Sequence, residues 1–437
     1  MMEWYSVFAL VVFGLLALML VGLPVAFAFL LINVIAAYVL LGGLVGVEQL
    51  ITNTAASLMS FTLVPIALFM IMGEVMFRSR IAIDLMDAVD KWFGRLRGRL
   101  AFMAVGGGVL FSTLTGNSMG STALLGSSLV PEMEKRGYAK PMSLGPILGS
   151  AGLAIMIPPS SLAVILGVIA KLSIAQILIA IILPGLLMAV IYAAYIWLRC
   201  WAQPHLAPPF EVAPVPMAEK LRTTAINIFP LGIIVFAVVG LILLGIATPT
   251  EAAAMGAVTT IALAAARGRL TRKVFGESLF SASNISAMVL LIVSGAVGFT
   301  QLLSFTGATW GMIDFVMGMN VSPDVLILIM IASVVCLGTF MGPLPIMLIT
   351  LPIYVPVVIE LGYNPIWFGV LFLIAIETGA TSPPFGAALF VMKAVAPRGT
   401  TMGDIYRAAI PFVLCDILAI AIVFAFPQIV TWPLSLM

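Results

Sequence analysis

The sequence predicts an all-α polytopic membrane protein made of two inverted-topology repeats, each with about five spanning helices and one re-entrant hairpin. Three observations lead there. Charged residues make up only 9% of the chain and hydrophobic ones 62%, whereas soluble domains are roughly 25% charged. Gly and Pro motifs of the first half return in the second at a nearly constant offset. Nineteen of the 20 Lys and Arg residues fall on one side of the predicted topology.

A spanning helix needs about 20 mostly apolar residues. Runs of that kind cover 6–22, 24–44, 57–77, 141–170, 174–199, 224–246, 249–266, 279–303, 364–397 and 405–426. The regions 100–134 and 323–360 differ. Each holds two apolar arms of about 15 residues, roughly 22 Å as helix, around a Gly-rich tip, so re-entrant hairpins are expected. With ten crossings and two hairpins, Lys171 is alone among basic residues on its side. The positive-inside rule makes the opposite side cytoplasmic and sends both termini to the periplasm.

Two segments are too polar to span. Residues 80–97 carry Ile81, Leu85, Val89, Trp92 and Leu96 at helical spacing, with Asp84, Asp87, Lys91 and Arg95 off that stripe. This reads as a helix in the cytoplasmic interface, serving as an anchor or as an arm between a moving and a fixed part. The segment 202–222 holds Pro204, Pro208, Pro209, Pro214 and Pro216 and is expected to be a non-helical linker between repeats 1–201 and 223–437. His205, the only histidine, lies there and is assigned no chemistry. Cys200, Cys336 and Cys415 are far apart and are expected to fill space as small apolar groups.

The repeat rests on four matches. Gly116-Asn117-Ser118-Met119-Gly120 is answered by Gly338-Thr339-Phe340-Met341-Gly342, offset by 222. Gly137-Tyr138 and Pro158-Pro159 are answered by Gly362-Tyr363 and Pro383-Pro384, offset by 225. An odd number of crossings per half inverts the second half. In such transporters the site lies near the midplane, where discontinuous helices meet.

The interrupted segments carry the chemistry. Pro158-Pro159 is followed by Ser160-Ser161, and Pro383-Pro384 is preceded by Thr381-Ser382. Two prolines in a row remove two N–H donors and free carbonyls at membrane depth, tolerated only inside protein or beside water. Carbonyls and hydroxyls are hard oxygen donors suited to Na⁺. Ser118, Ser121 and Thr122 at one tip and Thr339 at the other complete one expected Na⁺ site per half. The competing reading is that Pro-Pro only kinks a packed helix and the glycines only permit close packing. Glu377, one turn before Pro383, could bind a cation or proton, or hydrogen-bond a neighbouring helix. Glu251 is expected to cap its helix, Asn33 to bond between helices, and Glu74 and Asp416 to be structural, near span ends. The chain lacks G-x-x-x-x-G-K-[ST] and H-E-x-x-H, and no Ser-His or Cys-His dyad is plausible, so neither ATP hydrolysis nor enzyme activity is expected.

Over nearly its whole length the chain resembles the large membrane subunit of tripartite ATP-independent periplasmic (TRAP) transporters, in the ion-transporter superfamily. The motifs are Val130-Pro131-Glu132-Met133 with Lys135-Arg136-Gly137-Tyr138, Ile157-Pro158-Pro159-Ser160, Thr248-Pro249-Thr250-Glu251-Ala252-Ala253, and Ser382-Pro383-Pro384. The resemblance implies Na⁺-driven import of a small organic anion of carboxylate type across the inner membrane, with no other cofactor. It implies two partners, a periplasmic solute-binding protein and a small four-helix membrane subunit. It implies an elevator motion of the part holding both hairpins. Carried over by motif, one Na⁺ site falls at Ser118, Ser121 and Pro158 to Ser161, with Gly116, Asn117, Gly120 and Thr122 beside it. The other falls at Gly338, Thr339, Gly342 and Thr381 to Pro384. The family's first tip is usually a Ser-Gly-Ser-Ser-like run, and here Met119 interrupts it. A stand-alone dicarboxylate or citrate carrier of the same superfamily, coupled to Na⁺ or H⁺, is the alternative.

Overall fold

In the computed structural model, residues 3–79, 81, 88, 90–92, 96–115, 118–208, 215–319 and 321–436 are described. The helices are α1 Trp4–Leu20, α2 Val25–Leu40, α3 Leu44–Leu58, α4 Val64–Arg78, α5 Arg99–Thr115, α6 Ser118–Lys135, α7 Lys140–Met156, α8 Ser161–Ile169, α9 Ile174–Ala180 and α10 Ile182–Ala202. They continue as α11 Met217–Asn227, α12 Phe229–Val235, α13 Leu241–Leu243, α14 Pro249–Ala266, α15 Arg272–Phe305, α16 Ala308–Met317, α17 Pro323–Gly338, α18 Pro343–Glu360, α19 Pro365–Thr381, α20 Ala387–Val395, α21 Met402–Ala425 and α22 Gln428–Thr431. The all-α membrane architecture expected from composition is therefore what the chain adopts.

Six described segments are long and apolar enough to cross a bilayer: Phe61–Arg78, Ile174–Ala202, Met217–Leu243, Arg272–Phe305, Pro343–Glu360 and Met402–Ala425. Lys140–Met156 with Ser161–Ile169, bent by 48°, makes a seventh. By length alone this is fewer than the ten predicted crossings. The runs at 6–22, 24–44 and 364–397 correspond to apolar helices α1, α2 and α19 of 17, 16 and 17 residues.

Several details depart from expectation. The run predicted to start at 57 begins later, at α4, and is preceded by α3, a less apolar helix that the hydropathy pattern did not reveal. The linker is helical from Met217, because its prolines cluster before that point and Pro216 precedes the first helical residue. Asp416 is not near a span end but lies inside α21 and is buried. Cys336 is exposed, whereas Cys200 and Cys415 are buried. Most of the 80–97 stretch lies outside the described residues. Where it is described, Lys91 bonds Glu219 Oε1 at 2.8 Å and the Trp92 indole N–H donates to Thr224 at 2.8 Å, tying this stretch to α11.

Local chemistry explains many helix ends. The Gly137-Tyr138 and Gly362-Tyr363 matches are one device used twice. Both glycines have φ +79°, the left-handed conformation that favours glycine at a helix C-terminus. Tyr138 N bonds Met133 O and Tyr363 N bonds Val358 O, the crossed bonds that close such an end. Burial pushes the Tyr138 hydroxyl, in that turn, up to about 12. Glu251 closes a capping box with Thr248, as expected, and Asn33 Nδ2 donates to Gly295 O on α15 at 2.7 Å.

Two apolar cores form. The smaller joins α1, α2, α3, α15 and α16 to one face of α18, with Phe29 and Phe299 ring to ring at 5.4 Å. The larger surrounds α7 and α19. These two helices have every residue from Met142 to Met156 and from Ile366 to Thr381 buried. A helix apolar all round belongs at the centre of a bundle. Here the two helices that end at Pro-Pro are the central ones.

Candidate functional site

The broken helices have matched dimensions. α7 and α19 are each 17 residues, and α8 and α20, which follow the breaks, are each nine. α7 ends at Met156, Ile157 is extended, and Ser160 caps the next helix. α19 ends at Thr381, Ser382 is extended, and Gly386 starts the next helix. Both Pro–Pro bonds are cis. Proline has no N–H, so the carbonyls that would have been paired by residues 158, 159, 383 and 384 lose those donors.

The breaks differ in chemistry. At the first, Pro158, Pro159 and Ser160 are buried, and the Ser160 hydroxyl accepts from Ala163 N at 3.3 Å, capping α8. Ser161 is the first residue of α8. Replacing Ser160 with alanine is expected to cost about 1 kcal/mol, read as a lower unfolding midpoint of the purified protein. At the second break, Pro384 and Phe385 are exposed, and the hydroxyls precede the prolines. Thr381 Oγ1 donates to Glu377 O at 3.0 Å, Ser382 Oγ to Thr378 O at 2.6 Å, and Thr339 Oγ1 to Cys336 O at 2.7 Å. A hydroxyl that gives its proton to the backbone keeps its oxygen lone pairs for another partner. These three oxygens can therefore face a cation.

The start of α6 and the turn between α17 and α18 both meet the second broken helix. Gly338 and Gly379 touch backbone to backbone: a Cβ added at Gly379 would lie 2.6 Å from Gly338 Cα. Phe340 and Phe385 pack ring to ring at 5.6 Å, so the turn that carries Thr339 lies against the second break. Gly342 immediately precedes α18, and a Cβ there would meet nothing within 4 Å. At the first tip, Gly116 and Asn117 lie outside the described residues. Ser118, Ser121 and Thr122 are buried at the start of α6, with Gly120 in the same turn, and Thr122 Oγ1 donates to Ser118 O at 2.9 Å. Ser118 hydrogen-bonds the carboxyl of Glu377, on the other half of the chain.

Glu377 is 1% exposed, and its Oε1 has no hydrogen-bond partner among the described residues. It packs on Gly152, where an added Cβ would come within 2.5 Å of Glu377 Cγ. Gly152 precedes the end of α7 by four residues, as Glu377 precedes the end of α19. Gly145 and Gly149 continue the stripe on α7 and receive Phe412 of α21. Behind them Tyr192 of α10 donates its hydroxyl to the buried Asp416. Sequence reasoning missed Gly145, Gly149, Gly152 and the Tyr192–Asp416 pair. The spacing i, i+4, i+7 of small residues on one helix face was the available signal.

A family model described as "Tripartite ATP-independent periplasmic transporter, DctM component" matches residues 12–429. The chain is 29% identical to the ectoine TRAP transporter large permease protein TeaC of Halomonas elongata, over 95% of this chain and 96% of that one. It is 30% identical to the C4-dicarboxylate TRAP transporter large permease protein DctM of Pseudomonas aeruginosa, over 84% of this chain and 85% of that one. Its fold is similar to the crystal structure of the Alcanivorax borkumensis YdaH transporter, with TM-score 0.64, 14% identity and coverage of 89% and 90%. A central pair of broken helices in an all-α membrane bundle, with a family match over nearly its whole length, places this chain among the large permease subunits of TRAP transporters: multi-pass inner-membrane proteins of secondary transport, not enzymes.

Proposed function

We propose that this chain is the membrane pathway of a Na⁺-coupled importer of a small organic anion of carboxylate type. The observation that carries this reading is the second break. Thr339, Thr381 and Ser382 each spend their proton on a backbone carbonyl and present free oxygens around a Pro-Pro interruption. Oxygen donors of this kind suit an alkali cation. A second Na⁺ site at Ser118, Ser121 and Pro158 to Ser161 extends the reading to the first half. Inward Na⁺ movement gains about 2.3 kcal/mol per charge per 100 mV, enough to drive accumulation.

Two inverted repeats and an elevator motion complete the proposal. The matched broken helices support the repeat. The separate core built on α1, α2, α3, α15 and α16 supplies a candidate fixed part. A periplasmic solute-binding protein and a small four-helix membrane subunit are the proposed partners, consistent with the tripartite family. Both chain termini are proposed to face the periplasm, from the distribution of Lys and Arg.

The test is uptake in proteoliposomes holding this chain with a solute-binding protein and a small membrane subunit of the same family system. Ectoine and C4-dicarboxylates, named for its relatives, are the first compounds to try. Uptake is expected to require external Na⁺ and both partners. Full uptake with choline in place of Na⁺ would refute the coupling. Full uptake by this chain alone would favour a stand-alone carrier.

A further inference from the structure

We propose that Glu377 supplies a single fixed negative charge shared by the Na⁺ sites of both halves, so that the two cations bind cooperatively. This rests on the Na⁺ reading above and assigns one residue a role within it.

Position comes first. Glu377 and Gly152 lie four residues before the ends of α19 and α7, and they touch. They mark where the two central helices cross. Glycine on α7 leaves the space that the carboxyl fills; a Cβ at residue 152 would fall 3.4 Å from Glu377 Oε1.

The same residue reaches both sites by different atoms. Its carboxyl hydrogen-bonds Ser118 of the first tip. Its backbone carbonyl accepts the Thr381 hydroxyl at the second break, at 3.0 Å. A cation at the first tip therefore acts on the carboxyl directly. A cation drawn to Thr381 pulls on the oxygen whose proton rests on Glu377 O.

Energetics favour a shared countercharge. A carboxylate taken out of water costs several kcal/mol unless paired. Among the described residues no Lys or Arg pairs with Glu377, and none hydrogen-bonds its Oε1. The other titratable groups that interact with it are Asp416 of α21 and Tyr192 of α10. Asp416 is already engaged by the Tyr192 hydroxyl. None of these offsets a negative charge on Glu377; a bound cation does. Once one cation has ordered the carboxyl and the helix crossing, the second meets a prepared site. That is positive cooperativity, a favourable coupling free energy between two sites.

The experiment is equilibrium binding of radioactive Na⁺ to the purified full-length chain in lipid nanodiscs. Wild type is expected to bind with a Hill coefficient clearly above one. Glu377→Gln should lower it to one and weaken half-saturation by about tenfold, while Glu377→Asp restores the cooperativity. Thr381→Val, which leaves the carboxyl in place, should remove one site without displacing the other. Thermal unfolding without Na⁺ confirms that each variant is folded. A folded Glu377→Gln protein with wild-type slope and affinity would overturn the proposal. Wild type that binds no Na⁺ would instead overturn the Na⁺ reading on which it rests.

Discussion

Replacing Gly379 with valine is expected to weaken Na⁺ binding at the second break by about 100-fold, the equivalent of about 3 kcal/mol. The cause is backbone contact. A Cβ at residue 379 would stand 2.6 Å from Gly338 Cα and 2.7 Å from Val335 O, and neither is a side chain that can rotate away. The turn between α17 and α18 must lift from the broken helix, and Thr339 moves with it. Overpacking alone costs about 1–3 kcal/mol, and the displaced oxygens add the loss of geometry. Gly276→Ala, at a position where an added Cβ meets nothing within 4 Å, is the matched control. Near-wild-type Na⁺ affinity in Gly379→Val would mean that tip and break do not form one site.

The second large effect concerns stability. Tyr192→Phe removes the hydroxyl that serves Asp416, in a bundle where both residues are buried. An orphaned buried acceptor costs about 1–3 kcal/mol, more when charged. The unfolding midpoint of the purified protein should fall clearly. The double variant Tyr192→Phe with Asp416→Leu should recover much of the loss, because removing both polar partners leaves nothing unsatisfied. A double variant less stable than Tyr192→Phe alone would show that Asp416 has another role. Tyr192 also packs on Phe412 at 5.6 Å, a contact phenylalanine keeps, so the comparison isolates the hydroxyl.

Much of this molecule is legible in its amino-acid sequence. Pro-Pro pairs and Gly-Tyr pairs act through the backbone, and backbone effects follow from residue type alone. Hence the breaks at 158–159 and 383–384 and the paired helix ends at Gly137 and Gly362 fall where the residue pattern places them. What one sequence cannot supply is contact between distant segments. Nothing local says that Gly152 meets Glu377, that Tyr192 meets Asp416, or that Ser118 turns toward α19. Helix ends shift where polarity is intermediate, as at α3 and the start of α11, since hydropathy is a weak guide there.

The crossing of α7 and α19 also bears on how such a chain can be rebuilt. Its two broken helices are alike in length but not interchangeable at this point. Two copies of the first half would set glycine against glycine and leave a hole where the carboxyl now packs. Two copies of the second would set glutamate against glutamate, two acids competing for one space. A protein engineer splitting the gene at the proline-rich linker should therefore find that only the unlike halves complement each other when expressed together. The halves have become lock and key, and duplicating either one discards its mate.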